Sequence, residues 1–471
     1  MRINTKFCLF ALLLSIILFE NCKRDNAIKP TNELPSGATK LEATAQRAGD
    51  IAEGYKYLTT GDYISSGIPL DVYKLAYGSS NPDDLGRTGD NRGIGYQFNV
   101  ISGLNGVKVV AGTCLSCHAD KLNGQVIVGL GNSTADNTID VKQQLNTLDN
   151  LVQLRYGGKN SNEWKAYEPF SRGFNAVAPY IRTQTRGANP ATKIFAALSA
   201  HRDKNDLKWI TNPQFTIPTD VYPSDVPAWW LLKKKNAIYL NALGKGDHAS
   251  LMMSASLITL LDTTEAKKID QKFPDVVAYI KSLKAPKYPS AIDQTLAQKG
   301  KTLFLDNCSK CHGTYDGEGT YPNLLLDAAT VGTDDALANA FKVYPFYHTW
   351  YNESWFAKKS PKSQLTPTNG YIAPPLDGVW ATAPYLHNGS VPTLDDLLNS
   401  TQRPKYWSRT FDNTADYDNV KIGWKYTVET NKKDINTYDT TLSGYGSKGH
   451  YYGDTFAADE RKAVIEYLKT L

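Results

Sequence analysis

The sequence predicts a mainly α fold in two halves, each interrupted by long loop-rich insertions. Three observations predict it. A C-x-x-C-H cluster occurs twice, at Cys114, Cys117 and His118 and again at Cys308, Cys311 and His312. Each cluster is followed, after a long excursion, by apolar residues at helical spacing: Val276, Val277, Tyr279, Ile280 and Leu283 in the first half, Val464, Ile465, Tyr467 and Leu468 in the second. Between them Pro286 and Pro289 bound a short linker. A chain of 471 residues also exceeds what one small core organises.

At the N-terminus, Arg2 and Lys6 precede an apolar run from Phe7 to Phe19. That run is too short to span a bilayer and has the length of a signal-peptide core, so export is expected, with residues 1–22 as the signal. Cys22, in "FENCKRDN", stands where a bacterial lipoprotein carries the cysteine that becomes its lipidated N-terminus. Phe19, Glu20 and Asn21 are not the small residues expected before such a site, and a plain secreted or signal-anchored chain is the alternative. The expected location is the periplasm or the outer membrane, through a lipid anchor. Residues 23–45 are polar, with Pro30, Pro35 and Gly37, and read as a flexible tether. The first half then runs over 46–286 and the second over 290–471.

A formal net charge of +5, with basic residues in short runs such as Lys233, Lys234 and Lys235, excludes a nucleic-acid-binding face. Cysteine use is more informative. Of six cysteines, Cys8 falls in the signal core and Cys22 at the lipid position; the other four are all consumed by the two clusters. No structural disulfide forms without taking a cysteine from a cluster. Free thiols in an oxidising compartment would pair unless already bonded to something else.

Residues i, i+3 and i+4 share one face of a helical turn, so both sulfurs and the imidazole of each cluster converge on one object. Haem fits: its vinyl groups take thioether bonds from the cysteines and the histidine ligates iron. A zinc site would need a fourth ligand placed alike at two distant positions, and a redox C-x-x-C does not require the histidine. The reading is two covalently bound c-type haems, held by Cys114, Cys117, His118 and by Cys308, Cys311, His312.

The occupant of each sixth iron position separates electron transfer from oxidant binding. No methionine falls in 290–471, so a second axial ligand there is a histidine. His450, in the glycine-flexed "GSKGHYYGDTF", is the leading candidate and His387, in "YLHNGSVPTL", the second; the alternative for His387 is a structural or propionate-binding role. For the first haem, "GKGDHASLMM" offers His248, Met252 and Met253, against a reading in which these residues belong to a packed helix and the site is open. Aromatic runs, "PAWWLL" around Trp229 and Trp230 and "YPFYHTWYNESWF" from Tyr344, supply rings for packing, and any of the tryptophans could relay electrons between haems.

Residues 290–312, with Leu296, Gly300, Leu303 and Phe304 ahead of the cysteines, resemble the opening helix of a class I cytochrome c domain, and 457–471 its closing helix. "PPLDGVWATAPYLHNGSVPTLDDLLNSTQRP" and the final "YDTTLSGYGSKGHYYGDTFAADERKAVIEYLKTL" resemble the C-terminal half of rubber-oxygenase-type di-haem cytochromes and, more distantly, bacterial di-haem cytochrome c peroxidases. "GIPLDVYKLAY" and "VVAGTCLSCHADKLNGQVIVGLGN" follow the pattern more weakly. The resemblance implies two cytochrome c-like haem domains, an N-terminal haem carrying the active site, and a C-terminal haem held by two histidines, His312 and His450. It implies a haem-dependent oxidoreductase acting on peroxide or dioxygen, with a redox partner protein or small electron donor. A pure electron-transfer cytochrome with both haems six-coordinate is the alternative. No catalytic carboxylate is identifiable from the sequence.

Overall fold

A glycine facing a backbone carbonyl holds each of the two helix crossings on which the chain is built. The computed structural model describes residues 34–78, 80–412 and 416–471; the signal segment, Cys22 and the first part of the expected tether lie outside them. In the first crossing, helix Ile51–Thr60 lies across helix Thr263–Ser282. In the second, helix Gln294–Asn307 lies across helix Ala458–Leu468. A Cβ added at Gly54 would sit 2.0 Å from the Asp275 carbonyl oxygen, and one at Gly300 would sit 1.9 Å from that of Ala463. Beside each contact an aromatic pair closes the crossing: Tyr55 with Tyr279 and Phe304 with Tyr467, both with ring centres 5.2 Å apart at 53°. The helices begin on aspartate caps, where the side chains of Asp50, Asp262 and Asp293 accept backbone N–H groups of the first turn.

The chain is mixed, 40% helix and 13% strand, and the mainly α expectation is corrected accordingly. The reason lies in the loop-rich stretches outside the helix crossings, both ahead of the first C-x-x-C-H cluster and between each cluster and its closing helix. Their buried backbone groups need partners, and short antiparallel ladders supply them. Among the described residues these form six sheets of two or three strands. Helical periodicity marks the crossings well, whereas strands of two to five residues leave little pattern to read.

Those ladders also interlock the two halves. Gly244–Gly246 pairs with Ser363–Leu365, and Ala38–Lys40, inside the expected tether, pairs with Leu324–Asp327. Phe341, Tyr347, Trp350 and Phe356, from the second half, bury themselves in the same apolar cluster as Leu58, Phe273 and Ile280 of the first. In exchange, Leu122, Leu130 and Trp230 join Phe304 and Val464 in the second cluster. Arg47 binds Asp247 and Asp270, each at 2.7 Å, and Lys359 reaches Asp270 at the same distance, tying three segments together. Ser36–Leu471 is therefore one compact unit, and the prolines near 286–289 end a helix without separating two bodies. Among the described residues no helix is long and apolar enough to cross a membrane.

Gly300→Ala should destabilise the folded protein by about 1–3 kcal/mol, because the two backbones must move apart to admit one methyl group. Gly112→Ala, where nothing lies within 4 Å of the added atom, is the control and should be close to neutral. Urea unfolding of both variants checks this; equal midpoints would remove the glycine contact as the organiser of the crossing.

Candidate functional site

Both C-x-x-C-H clusters lie on single helical turns, Leu115–His118 and Ser309–His312. In each the histidine N–H donates to the carbonyl of the first cysteine at 3.0 Å, which holds two sulfurs and an imidazole on one face. The first turn sits between strand Lys108–Gly112 and strand Ala119–Leu122, the latter returning as Gln125–Val128. That hairpin turns through Asn123 and Gly124, both with positive φ, the Asn-Gly signature of a two-residue turn. The Asn123-Gly124 signal for this turn is present in the sequence. The second turn follows the crossing helix Gln294–Asn307 directly.

None of the four cluster cysteines is paired in a disulfide. Burial pushes the Cys114 and Cys308 thiols up to about 12 and raises those of Cys117 and Cys311. A redox-active C-x-x-C needs the opposite shift. These thiols are placed as neutral groups at the edge of apolar space, which suits thioether attachment.

The second cluster opens onto a cavity of about 260 Å³ whose walls are mostly apolar, among them Leu326, Leu376, Leu397, Val464 and Leu468. Into it project His312 and, across from it, His450. His312 donates from Nδ1 to the Pro374 carbonyl at 2.8 Å, which leaves Nε2 directed away from that bond. The His450 ring centre lies 6.2 Å from that of His312, with the planes at 59°. Two imidazoles on opposite sides of one metal ion, with metal–nitrogen bonds of about 2 Å, put their ring centres roughly 6 Å apart. The pair therefore fits a shared iron.

The backbone brings His450 there through a left-handed pair, Gly449 at φ +85° and His450 itself at φ +53°. Tyr452 then packs edge-on against the His450 ring at 5.2 Å. Burial lowers His450 to about 3 and lowers His312 as well, so both rings are neutral and each keeps a lone pair for a metal. His450 Nδ1 is buried with no hydrogen-bond partner among the described residues. His387 lines the same cavity, but it stacks on Tyr371, ring centres 3.8 Å apart, and is not the ring that faces His312.

The first cluster is arranged differently. Trp229 stacks on His118, with ring centres 4.6 Å apart and planes 18° from parallel. The Pro227 carbonyl faces the His118 ring as Pro374 faces His312, at a looser geometry than a hydrogen bond. Burial lowers His118 to about 4. The Asn189 amide reaches the Cys117 sulfur at 3.6 Å, and the Tyr63 hydroxyl accepts the Cys114 N–H at 3.2 Å.

His248 starts helix His248–Met253, buried with neither ring nitrogen bonded and lowered to about 4 by burial. Met253 is buried in the large core and Met252 packs against it. Among the described residues, no second imidazole faces His118 as His450 faces His312. His201 is a structural residue, stacked on Trp209 with Nδ1 donating to the Ile210 carbonyl at 2.9 Å.

One short segment serves both places. Pro227 and Trp229 lie against His118, while Asp225, Pro227, Ala228 and Leu231 line the second cavity. The adjacent tryptophans divide between the sites: Trp229 belongs to the first apolar cluster, and Trp230, fully buried, belongs to the second and donates to the Asp377 carbonyl at 2.8 Å. The sequence shows "PAWWLL" as aromatic; that it forms the wall between two sites is visible only in the fold.

Buried neutral imidazoles make the fold sensitive to acid. Burial lowers His387 from its ordinary value of 6.5 to about 3, so the unfolded chain takes up its proton first as pH falls. Its contribution to stability is complete above about pH 6.5 and is lost progressively towards pH 3. His387→Gln should flatten the fall of the urea midpoint across that window by one proton. Identical slopes in the two proteins would contradict the assignment.

Residues 297–375 match the cytochrome c family, a span that holds the second cluster and Pro374, and residues 370–408 match the family described as RoxA-like, cytochrome c-like. The chain is similar to protein y4iM of Sinorhizobium fredii, 27% identical over 58% of this chain and 70% of that one. It is also similar to y4iJ of the same organism, 29% identical over 40% of this chain and 41% of the other. Together with the geometry, these matches support a c-type cytochrome related to the RoxA-like group, with a haem-based electron-transfer or redox function.

Proposed function

We propose that the chain is an exported di-haem c-type cytochrome, an oxidoreductase whose first haem, at Cys114, Cys117 and His118, acts on peroxide or dioxygen. The second haem, at Cys308, Cys311, His312 and His450, exchanges electrons with a redox partner protein or small donor. The observation that carries this reading is the asymmetry of the sites: His312 has a facing imidazole 6.2 Å away, whereas among the described residues no second imidazole faces His118. Bound haem supplies a one-electron iron couple and, where a coordination position is free, a place for a small oxidant.

The residues divide the remaining work. His312 is oriented by Pro374 and His450 by the Gly449 turn, so neither ring needs to rearrange when charge changes between them. The apolar cavity walls exclude water and hold both imidazoles neutral. Trp229 fixes the His118 plane and, in the same wall, Ala228 and Leu231 line the second site, which gives electrons a short protein path. Export and lipidation at Cys22 complete the proposal, placing the protein at a membrane surface through a lipid anchor.

Pyridine haemochrome analysis of the purified protein should return two haems per chain, and one after replacing either cysteine pair by serine. Cyanide or peroxide should change the visible spectrum of one haem only. His450→Ala should convert the other from low-spin to high-spin while leaving the haem count at two. Two low-spin haems indifferent to both ligands would establish the pure electron carrier instead. The mass of the N-terminal peptide of the mature protein decides lipidation.

A further inference from the structure

The second cavity contains charge that the two axial histidines do not use. Its ionisable lining, apart from His312, His450 and the cysteines, comprises Asp225, Lys235, Asp377 and His387 together with tyrosines. Asp377 is already paired: Lys234 binds both of its oxygens, at 2.7 and 2.8 Å. Burial raises the Asp225 carboxyl well above the usual carboxylate range. Lys235 is different. Its side chain lines the cavity, burial lowers it to about 8, and among the described residues it forms no salt bridge. His387 Nε2 is buried without a hydrogen-bond partner among the described residues.

A lysine without a salt bridge and a buried imidazole nitrogen without a partner, both on the lining of one apolar cavity, are costly unless a ligand completes them. Their placement indicates which ligand. Cys308 closes the helix whose Phe304 shares a wall with Leu397 and Leu468. His387 belongs to another wall, stacked on Tyr371 of strand Gly370–Ile372. That strand is bonded to the loop carrying Lys235, where the Ile372 N–H donates to the Leu240 carbonyl at 2.8 Å. A molecule attached at one edge to the cysteines and bearing carboxylates at another meets sulfur on the first wall and positive charge on the second.

We propose that Lys235 and His387 form the carboxylate-binding end of the second cavity and hold the propionates of the haem there, Lys235 by charge and His387 as hydrogen-bond donor. The inference rests on the haem reading of the second site. It deepens that reading, because a cation paired with a propionate also sets the redox balance of the iron. The positive charge favours the reduced state, and an unpaired propionate would favour the oxidised one. Lys235 is thus a positioning and tuning residue, and His387 is released from any axial role.

The test is a spectroelectrochemical titration of the purified holoprotein and of Lys235→Met, Lys235→Arg and His387→Leu, with haem counted in each by pyridine haemochrome. In K235M the midpoint potential of the low-spin, bis-histidine haem should move to a lower value, with the other haem little changed; K235R should restore it. H387L should shift the carboxylate band in the redox-difference infrared spectrum. Unchanged potentials in K235M with two haems attached would overturn the proposal. If K235M does not accumulate, Lys235→Gln and its infrared carboxylate band decide in the same way, and a band identical to the unsubstituted protein overturns it. Absence of haem at Cys308 and Cys311 in the unsubstituted protein would overturn the reading beneath it, which the haem count reports separately.

Discussion

The close approach of two backbones at Gly300 and Ala463, repeated at Gly54 and Asp275, is the constraint on which the rest of the molecule depends. Only a residue without a side chain lets the opening helix lie against the carbonyls of the closing one. Because helix Gln294–Asn307 runs straight into the turn Ser309–His312, the crossing fixes where Cys308, Cys311 and His312 emerge. The closing helix contributes Val464 and Leu468 to the same cavity. A backbone contact far from any metal ligand thereby determines the space into which the ligands point.

Burial then does the chemical preparation. The imidazoles of His118, His312 and His450 are all held neutral by loss of water, and the cluster thiols are held protonated by the same cause. Neutral imidazole is the form that ligates a metal, and a neutral thiol in apolar surroundings resists adventitious oxidation. One physical effect serves two purposes. The two sites diverge in their surroundings: an imidazole delivered by a left-handed turn at Gly449 and His450 faces His312, whereas the His118 ring is stacked on its side by the indole of Trp229.

The interlocking of the halves gives that divergence its context. Each half lends aromatic and aliphatic residues to the core of the other, and strands from one pair with strands from the other. The segment from Asp225 to Leu231 is where this exchange matters most, since it packs on His118 with one set of side chains and lines the second cavity with another. Two independently folding modules on a linker would have no such wall, and communication between them would depend on diffusion.

The sequence by itself determined the convergence of the donor groups: C-x-x-C-H spacing on a helical turn places two sulfurs and an imidazole on one face whatever surrounds it, and the two clusters hold all the cysteines after residue 22. Helical periodicity likewise announced both closing helices, and the absence of methionine after residue 290 pointed to His450. The short strands were not legible, because ladders of a few residues are selected by distant partners and not by local pattern. Nor were the Trp229 stack, the pairing of Ala38–Lys40 with Leu324–Asp327, or the solitary charge of Lys235. In a run of three lysines nothing local tells which one faces solvent and which is drawn inside. Only the tertiary structure decides that, since burial and the loss of a partner are properties of everything packed around a side chain.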